Sequence, residues 1–292
     1  MDCQGQISTG KTDKDPSLFL KRGAAPSLSE GLLHRLRNLE ESLRNAGKVA
    51  VAFSGGVDSS FLLKTAHLLL GEKASGIIGL SRLHPGAERE RALRVAGEIG
   101  CRIITCELDP LSWPEFSRNP PDRCYLCKGK IYSTFLERLN AGGTQVLLDG
   151  TNLDDLQDYR PGLKAVRELG IGTPLADAGL GKQDIRRLSR ELGLSTWNQY
   201  SSSCLATRIP THEPITAAKL ELVGTAESFL HDLGFAGCRV RWRNQGVSLE
   251  FIEADLPRFV EKSMRNKVEA YFFNLGLDKI FLDCTSRPDI RF

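Results

Sequence analysis

The run Lys48-Val49-Ala50-Val51-Ala52-Phe53, followed at once by Ser54-Gly55-Gly56-Val57-Asp58-Ser59-Ser60 and then by the apolar-rich stretch Phe61 to Leu70, constrains the fold more than any other feature of the chain. A short apolar run bounded by glycines reads as a strand buried on both faces, as in parallel sheets covered by helices. The stretch behind the glycines reads as a helix that stops at Gly71. A loop at the carboxyl end of such a strand opens into the ligand crevice of the sheet. The helix start behind it offers unpaired N–H groups and the positive end of the helix dipole, which suit phosphate. Gly55 and Gly56 allow close backbone approach, and Ser54, Ser59 and Ser60 carry hydroxyls that can donate to phosphate oxygens. Asp58 would repel bare phosphate, so it points to a metal ion or to the adenylate side of a nucleotide. The alternative is a glycine-rich turn in which Asp58 and Ser59 only cap the helix. No Gly-Lys-Ser/Thr follows, so this is not the common P-loop.

The pattern repeats downstream. A helix with Leu32, Leu33, Leu36, Leu39 and Leu43 at helical spacing precedes the first strand. Further strands are expected at Ile77–Leu80, Arg102–Leu108 and Val146–Asp149, with helices around Ala92 to Ile99 and from about Lys128 to Leu139. The segment Asp109–Arg123 holds Pro110, Pro114, Pro120 and Pro121 and reads as a loop. Alternating strands and helices predict an α/β fold: a parallel sheet with helices on both faces.

After Ile209 the pattern changes. Ile-Pro-Thr-His-Glu-Pro reads as a linker, and beyond it come a helix (Thr216–Leu233), two strands (Arg239–Trp242 and Val247–Phe251), a helix (Ser263–Leu275) and a strand (Ile280–Asp283). Three parts result: a tail over 1–26, an α/β domain over 27–209, and a small C-terminal α+β domain over 210–292. No apolar run approaches the roughly 20 residues that span a bilayer, and the start of the chain lacks the apolar core of a secretory signal. The expected setting is therefore the cytoplasm, with the eight cysteines as free thiols. A net charge of +3 gives no support to a dedicated nucleic-acid binder.

A second loop, Asp149-Gly150-Thr151-Asn152-Leu153-Asp154-Asp155, follows the strand at Val146 and opens onto the same crevice. Asp154 and Asp155 are oxygen ligands of the kind Mg²⁺ takes beside substrate phosphates, or acids favoured at a helix start. Gly150 and Thr151 let the loop fold tightly under a nucleotide. Arg160 could pair with phosphate or stand as a surface cation.

Cys124-Tyr125-Leu126-Cys127 is a CxxC ahead of a helix, fit for a metal, a cluster or a redox pair, and no second CxxC supports a Cys₄ zinc site. Cys101, Cys106, Cys238 and Cys284 lie in or beside apolar segments and read as buried, inert thiols. Cys204 lies in the polar run Tyr200-Ser201-Ser202-Ser203-Cys204-Leu205-Ala206-Thr207-Arg208-Ile209-Pro210, where Arg208 could lower its pKa. These residues alone leave a catalytic and an exposed structural cysteine open. Arg239 and Arg241 alternate along a strand and share one face, either solvated or facing an anion.

The string SGGVDSS resembles the signature of the N-type ATP pyrophosphatases, or PP-loop enzymes, which carry an adenine nucleotide alpha hydrolase-like fold. They cleave ATP between the α and β phosphates and adenylate an acceptor oxygen. Together with DGTNLDD, the run from Asp158 to Ala165, and SSSCLATRIP, it is most similar to the LarE family, from about Ser29 to the C-terminus. The resemblance implies an ATP-dependent sulfur transferase acting on pyridinium-3,5-biscarboxylic acid mononucleotide, in the synthesis of a nickel-pincer nucleotide cofactor. It implies ATP binding by Ser54, Gly55, Gly56, Val57, Asp58, Ser59, Ser60, Gly150 and Thr151, and Mg²⁺ at Asp154 and Asp155. It implies sulfur supplied either by a sacrificial Cys204 or by a 4Fe-4S cluster on Cys124, Cys127 and Cys204. It implies substrate phosphate on Arg208, Arg239, Arg241 and Arg287, and assembly into a homo-oligomer. The alternatives are a PP-loop tRNA thiolase, an amidotransferase-type synthetase, and a non-catalytic adenine nucleotide sensor.

Overall fold

The computed structural model describes residues 28–143, 145–157, 160–244 and 246–285; the expected tail over 1–26, with Asp158, Tyr159 and Arg287, lies outside the described residues. The first helix, α1 (Glu30–Ala46), starts where the Ser29 side chain accepts from the Leu32 amide at 3.3 Å, and it buries Leu32, Leu36, Leu39 and Leu43. β1 (Val49–Ala52) leads into α2 (Val57–Leu70), and β2 (Ala74–Leu80) into α3 (Gly86–Ile99). Then come β3 (Arg102–Glu107), α4 (Arg123–Ala141), β4 (Val146–Leu148), α5 (Pro161–Glu168) and α6 (Lys182–Glu191).

The four strands pair in the order β3-β2-β1-β4, all parallel, with Val49 opposite both Ala74 and Val146. β1 is thus central, and its side chains are buried from Val49 to Val51 because neighbours flank it on both sides. That centrality carries its carboxyl end, and the Ser54 loop, to the middle of the crevice. The helix expected from Lys128 begins at Arg123, directly behind Pro120 and Pro121. Proline before the first turn withdraws no helical hydrogen bond, so the prolines mark the helix start instead of extending the loop. The stretch ahead also holds two short turns, a 3₁₀ turn at Pro110–Ser112 and a helical one at Pro114–Ser117.

The C-terminal unit is α7 (Ala217–Asp232), β5 (Arg239–Arg243), β6 (Gly246–Glu250), α8 (Lys262–Asn274) and β7 (Ile280–Leu282). β5 and β6 are antiparallel, and β6 and β7 parallel. Its core gathers Leu220, Val223, Phe235, Val247, Phe251 and Phe272, and it also draws in Leu83 and Phe116 together with Leu205, Ala206 and Ile209. The segment carrying Cys204 is therefore clasped between the two units and not left as a free linker. No helix among the described residues is long and apolar enough to cross a membrane.

Candidate active site

The phosphate loop is shaped by its glycines. Gly55 has φ of +71°, and a Cβ there would lie 2.6 Å from Ala92 Cα, so α3 packs directly on the loop backbone. Ser59 Oγ accepts from the Ser54 amide at 3.2 Å and sits 3.3 Å from the Gly56 carbonyl, which closes the turn. A Cβ on Gly150 would meet the Ser59 amide nitrogen at 3.1 Å, so the second loop lies against the start of α2. Val57 and Ser60 point inward; Val57 packs in the core and the Ser60 hydroxyl is buried with no partner. Ser54, Gly56, Asp58, Ser59, Gly150, Thr151, Asp155 and Arg160 line one polar pocket.

Each acid around that pocket has a cation or an amide. Asp58 pairs with Lys182 at 2.5 Å and accepts from Asn152 Nδ2 at 3.3 Å. Asp155 pairs with Arg160 at 2.7 Å and accepts from the Asn152 amide at 3.1 Å. Burial nevertheless raises the Asp155 pKa, against that amide and Arg160, with the charge of Asp58 adding to the rise. Asp154 turns away from the pocket and accepts from the Lys182 amide at 2.8 Å, at the start of α6. The sequence pairs Asp154 with Asp155; the fold separates them, because α6 offers Asp154 an unpaired N–H. Asp149 lies at the sheet edge, 2.9 Å from Lys128 Nζ, and accepts from Tyr132 and from the Thr151 amide and hydroxyl. Burial opposes its charge, but Lys128, Thr151 and Tyr132 prevail and hold its pKa below the usual carboxylate range.

Cys124 and Cys127 lie in the first two turns of α4, three residues apart and so on one face. Cys204 precedes the 3₁₀ turn Leu205–Arg208, and its carbonyl accepts from Thr207 Oγ1 at 2.8 Å. The three thiols line a single largely apolar cavity of about 280 Å³. Burial, then the charges of Cys204 and Cys124, push the Cys127 thiol up to about 12. Burial and Cys124 also raise Cys204, opposed by Arg123, the Thr207 amide and Arg208. Ala52, Ser54, Cys124, Lys128 and Tyr132 border both the thiol cavity and the polar pocket, so the two spaces adjoin. Among the described residues, no group of three or more His, Cys, Asp or Glu side chains stands where it could hold a metal ion. Cys101, Cys106 and Cys238 are buried as expected, whereas Cys284 is exposed just beyond the edge strand β7, whose own Phe281 and Leu282 are exposed as well.

The arginines divide. Arg208 is 4% exposed and bound to Glu227 of α7, with Nε 2.5 Å from Oε1. It also donates to Ser203 Oγ at 2.7 Å and Thr207 Oγ1 at 2.8 Å, so it fixes the residues beside Cys204. Arg241 pairs with Glu250 and donates to the Thr207 carbonyl at 3.0 Å. Arg239 lines a separate cavity with Arg91, Arg94, Arg208 and His231. Lys128, Lys182 and Glu227 escape a reading of the sequence, since each acts through a partner far along the chain; only Lys128, next to the CxxC, carries a local hint.

No family model matches the chain. It is 34% identical over 249 residues to an uncharacterized protein of Synechocystis, covering 85% of this chain and 93% of that one. It is 35% identical over 246 residues to the pyridinium-3,5-bisthiocarboxylic acid mononucleotide synthase of Lactiplantibacillus plantarum, covering 84% and 88%. A more distant likeness, 25% over 217 residues and 68% of each chain, is to a glutamine-hydrolyzing GMP synthase chain of Archaeoglobus fulgidus. The strand-loop-helix at Ser54, the parallel sheet and these relatives agree: the chain belongs to the LarE family of ATP-dependent sulfur transferases, within the PP-loop superfamily.

Proposed function

We propose that this enzyme adenylates a carboxylate of pyridinium-3,5-biscarboxylic acid mononucleotide and converts it to a thiocarboxylate, for a nickel-pincer nucleotide cofactor. The observation that carries the reading is the shared wall: a phosphate loop and three thiols border adjoining spaces. ATP lies with its phosphates on Ser54 to Ser59 and Gly150-Thr151. Mg²⁺ on those phosphates would meet Asp155 and Asp58, which line the pocket, with Asp154 behind them. A substrate carboxylate oxygen attacks the α-phosphorus, the bond to pyrophosphate breaks, and an acyl-adenylate forms. The acid, inert as a carboxylate, now carries a good leaving group.

In the sacrificial route, Cys204 Sγ loses its proton and attacks the acyl carbon, and AMP departs. Loss of the Cys204 Cα proton with cleavage of Cβ–S leaves a thiocarboxylate on the substrate and dehydroalanine in the chain. The alternative sulfur source is a 4Fe-4S cluster on Cys124, Cys127 and Cys204, which line one cavity without standing as a ready-made metal-binding group, so that holding it would draw the three thiols together; bound there, it would supply a transferable sulfur. Arg208, Arg239, Arg241 and Arg287 are the proposed contacts to the substrate phosphate, Arg208 acting chiefly through its hold on the Cys204 segment. The enzyme works as a homo-oligomer in the cytoplasm, without membrane or nucleic acid, through a PP-loop domain over 27–209 and a substrate and oligomerisation domain over 210–292.

Pyrophosphate release with that substrate, and thiocarboxylate formation beside it, test the reading. Cys204→Ala is expected to keep pyrophosphate release and lose thiocarboxylate. Protein lighter by one H₂S after turnover marks the sacrificial route. Iron and labile sulfide after anaerobic purification, lost in Cys124→Ala, mark the cluster. Pyrophosphate release with a tRNA or with ammonia, and none with the pyridinium acid, would assign the chain to a thiolase or synthetase; nucleotide binding without release would make it a sensor.

A further inference from the structure

Two segments far apart in the chain deliver the three thiols, and neither cysteine motif contains what holds them face to face. Asn119 is fully buried, at 0% exposure, with φ of +59°, a conformation that asparagine adopts more readily than most residues. Its Nδ2 donates to the Pro210 carbonyl at 2.8 Å and the Glu213 carbonyl at 2.9 Å. Its own carbonyl accepts from the His212 amide at 2.9 Å, and nearby the Ile215 amide donates to the Ser117 carbonyl at 2.8 Å. The chain leaving Cys204 is thus stitched to the chain entering α4. Asn119 Oδ1 then accepts from Arg123 Nη1 at 2.7 Å, and the same Nη1 lies 3.4 Å from Thr211 Oγ1. Arg123 immediately precedes Cys124, lines the thiol cavity with all three cysteines, and keeps its Nε buried without a partner. Neither Asn119 nor Arg123 borders the polar pocket of the phosphate loop.

We propose that Asn119 and Arg123 are positioning residues for the sulfur-transfer half of the reaction: Asn119 locks the Cys204 segment onto the start of α4, and Arg123 holds a fixed positive charge where negative sulfur gathers. This rests on the function proposed above. The physical reason is separable from folding: a cation beside a desolvated thiolate or sulfide stabilises it, whereas adenylation occurs on the far side of the shared wall.

The test measures pyrophosphate and thiocarboxylate from the same reactions with ATP and the pyridinium dicarboxylate mononucleotide. Arg123→Met is expected to release pyrophosphate within about twofold of the parent while thiocarboxylate falls about tenfold or more, with Arg123→Lys recovering part of the loss. Asn119→Ala is expected to show the same split and a lower yield of Cys124–Cys204 crosslink with dibromobimane. Should Arg123→Met not fold, Arg123→Gln, which keeps a donor toward Asn119 without the charge, carries the same expectation. Equal loss of both products, loss of neither, or an unchanged crosslink in Asn119→Ala overturns the proposal. A parent enzyme that releases no pyrophosphate with this acid strikes the underlying reading instead, so the two failures are distinguishable.

Discussion

At Gly55 the demands of fold and function meet in one residue. Its φ of +71° lies where an L side chain is strained, and the absent Cβ, which would stand 2.6 Å from Ala92 Cα, is what lets α3 press on the loop. Gly55→Ala therefore adds a conformational cost of about 1–2 kcal/mol to a clash with backbone, which cannot rotate away. The expected result is a loop pushed toward the nucleotide, read as a rise in the ATP concentration for half-maximal pyrophosphate release larger than the fall in maximal rate. An unchanged ATP dependence would count against the loop as the phosphate cradle. The glycine pair and its strand are legible in the sequence because both signals are local. Asn119, Arg123, Lys182 and Glu227 are not, because Lys182 meets Asp58 across 124 residues and Glu227 meets Arg208 across 19. The CxxC and Cys204 stand out as reactive types, but their convergence belongs to the tertiary fold.

Among the elements, α4 connects the two halves of the site. Its first two turns bear Cys124, Cys127 and Lys128, and Tyr132 follows one turn beyond Lys128; Lys128 and Tyr132 hold Asp149 at the end of β4. Asp149 stays ionised in a buried place because these groups outweigh burial. Removing the ammonium leaves a buried charge short of a partner, so Lys128→Met is expected to cost about 3 kcal/mol near neutral pH. The sign with pH follows from linkage. A carboxylate whose folded pKa is depressed contributes stability above its unfolded pKa and loses it as pH falls through the folded value. Without Lys128 that depression shrinks, and Asp149 protonates at higher pH in the variant. Urea unfolding should therefore show the gap between parent and variant widest near neutrality and narrowing as pH drops below the usual carboxylate range. A gap constant with pH would mean that Lys128 stabilises through packing alone. The start of α4 is hidden in the sequence because prolines punctuate the segment before it; their place just ahead of the first turn, which only the fold reveals, is harmless.

For the whole molecule, the question is whether the two units stand alone. The shift in pattern after Ile209 reads as a linker, and the strands form two separate sheets. The apolar contacts tell otherwise about the junction. Leu83, Phe116, Leu205 and Ile209 are each 3% exposed or less, and they pack into the C-terminal core. Cutting the chain after residue 209 returns these side chains to water at about 2 kcal/mol each, which together approaches the roughly 5–15 kcal/mol that holds a domain folded. It also strips Arg208 of Glu227 and leaves Asn119 without the Pro210 and Glu213 carbonyls. A fragment over 28–209 is accordingly expected to unfold without cooperativity, bind hydrophobic dyes and release no pyrophosphate, while the full chain melts in a single transition. A fragment that melts sharply and still cleaves ATP would show that the Cys204 segment is a dispensable strap. Loss of cooperativity in the fragment would instead show that the segment carrying Cys204 is folded only when both units close on it.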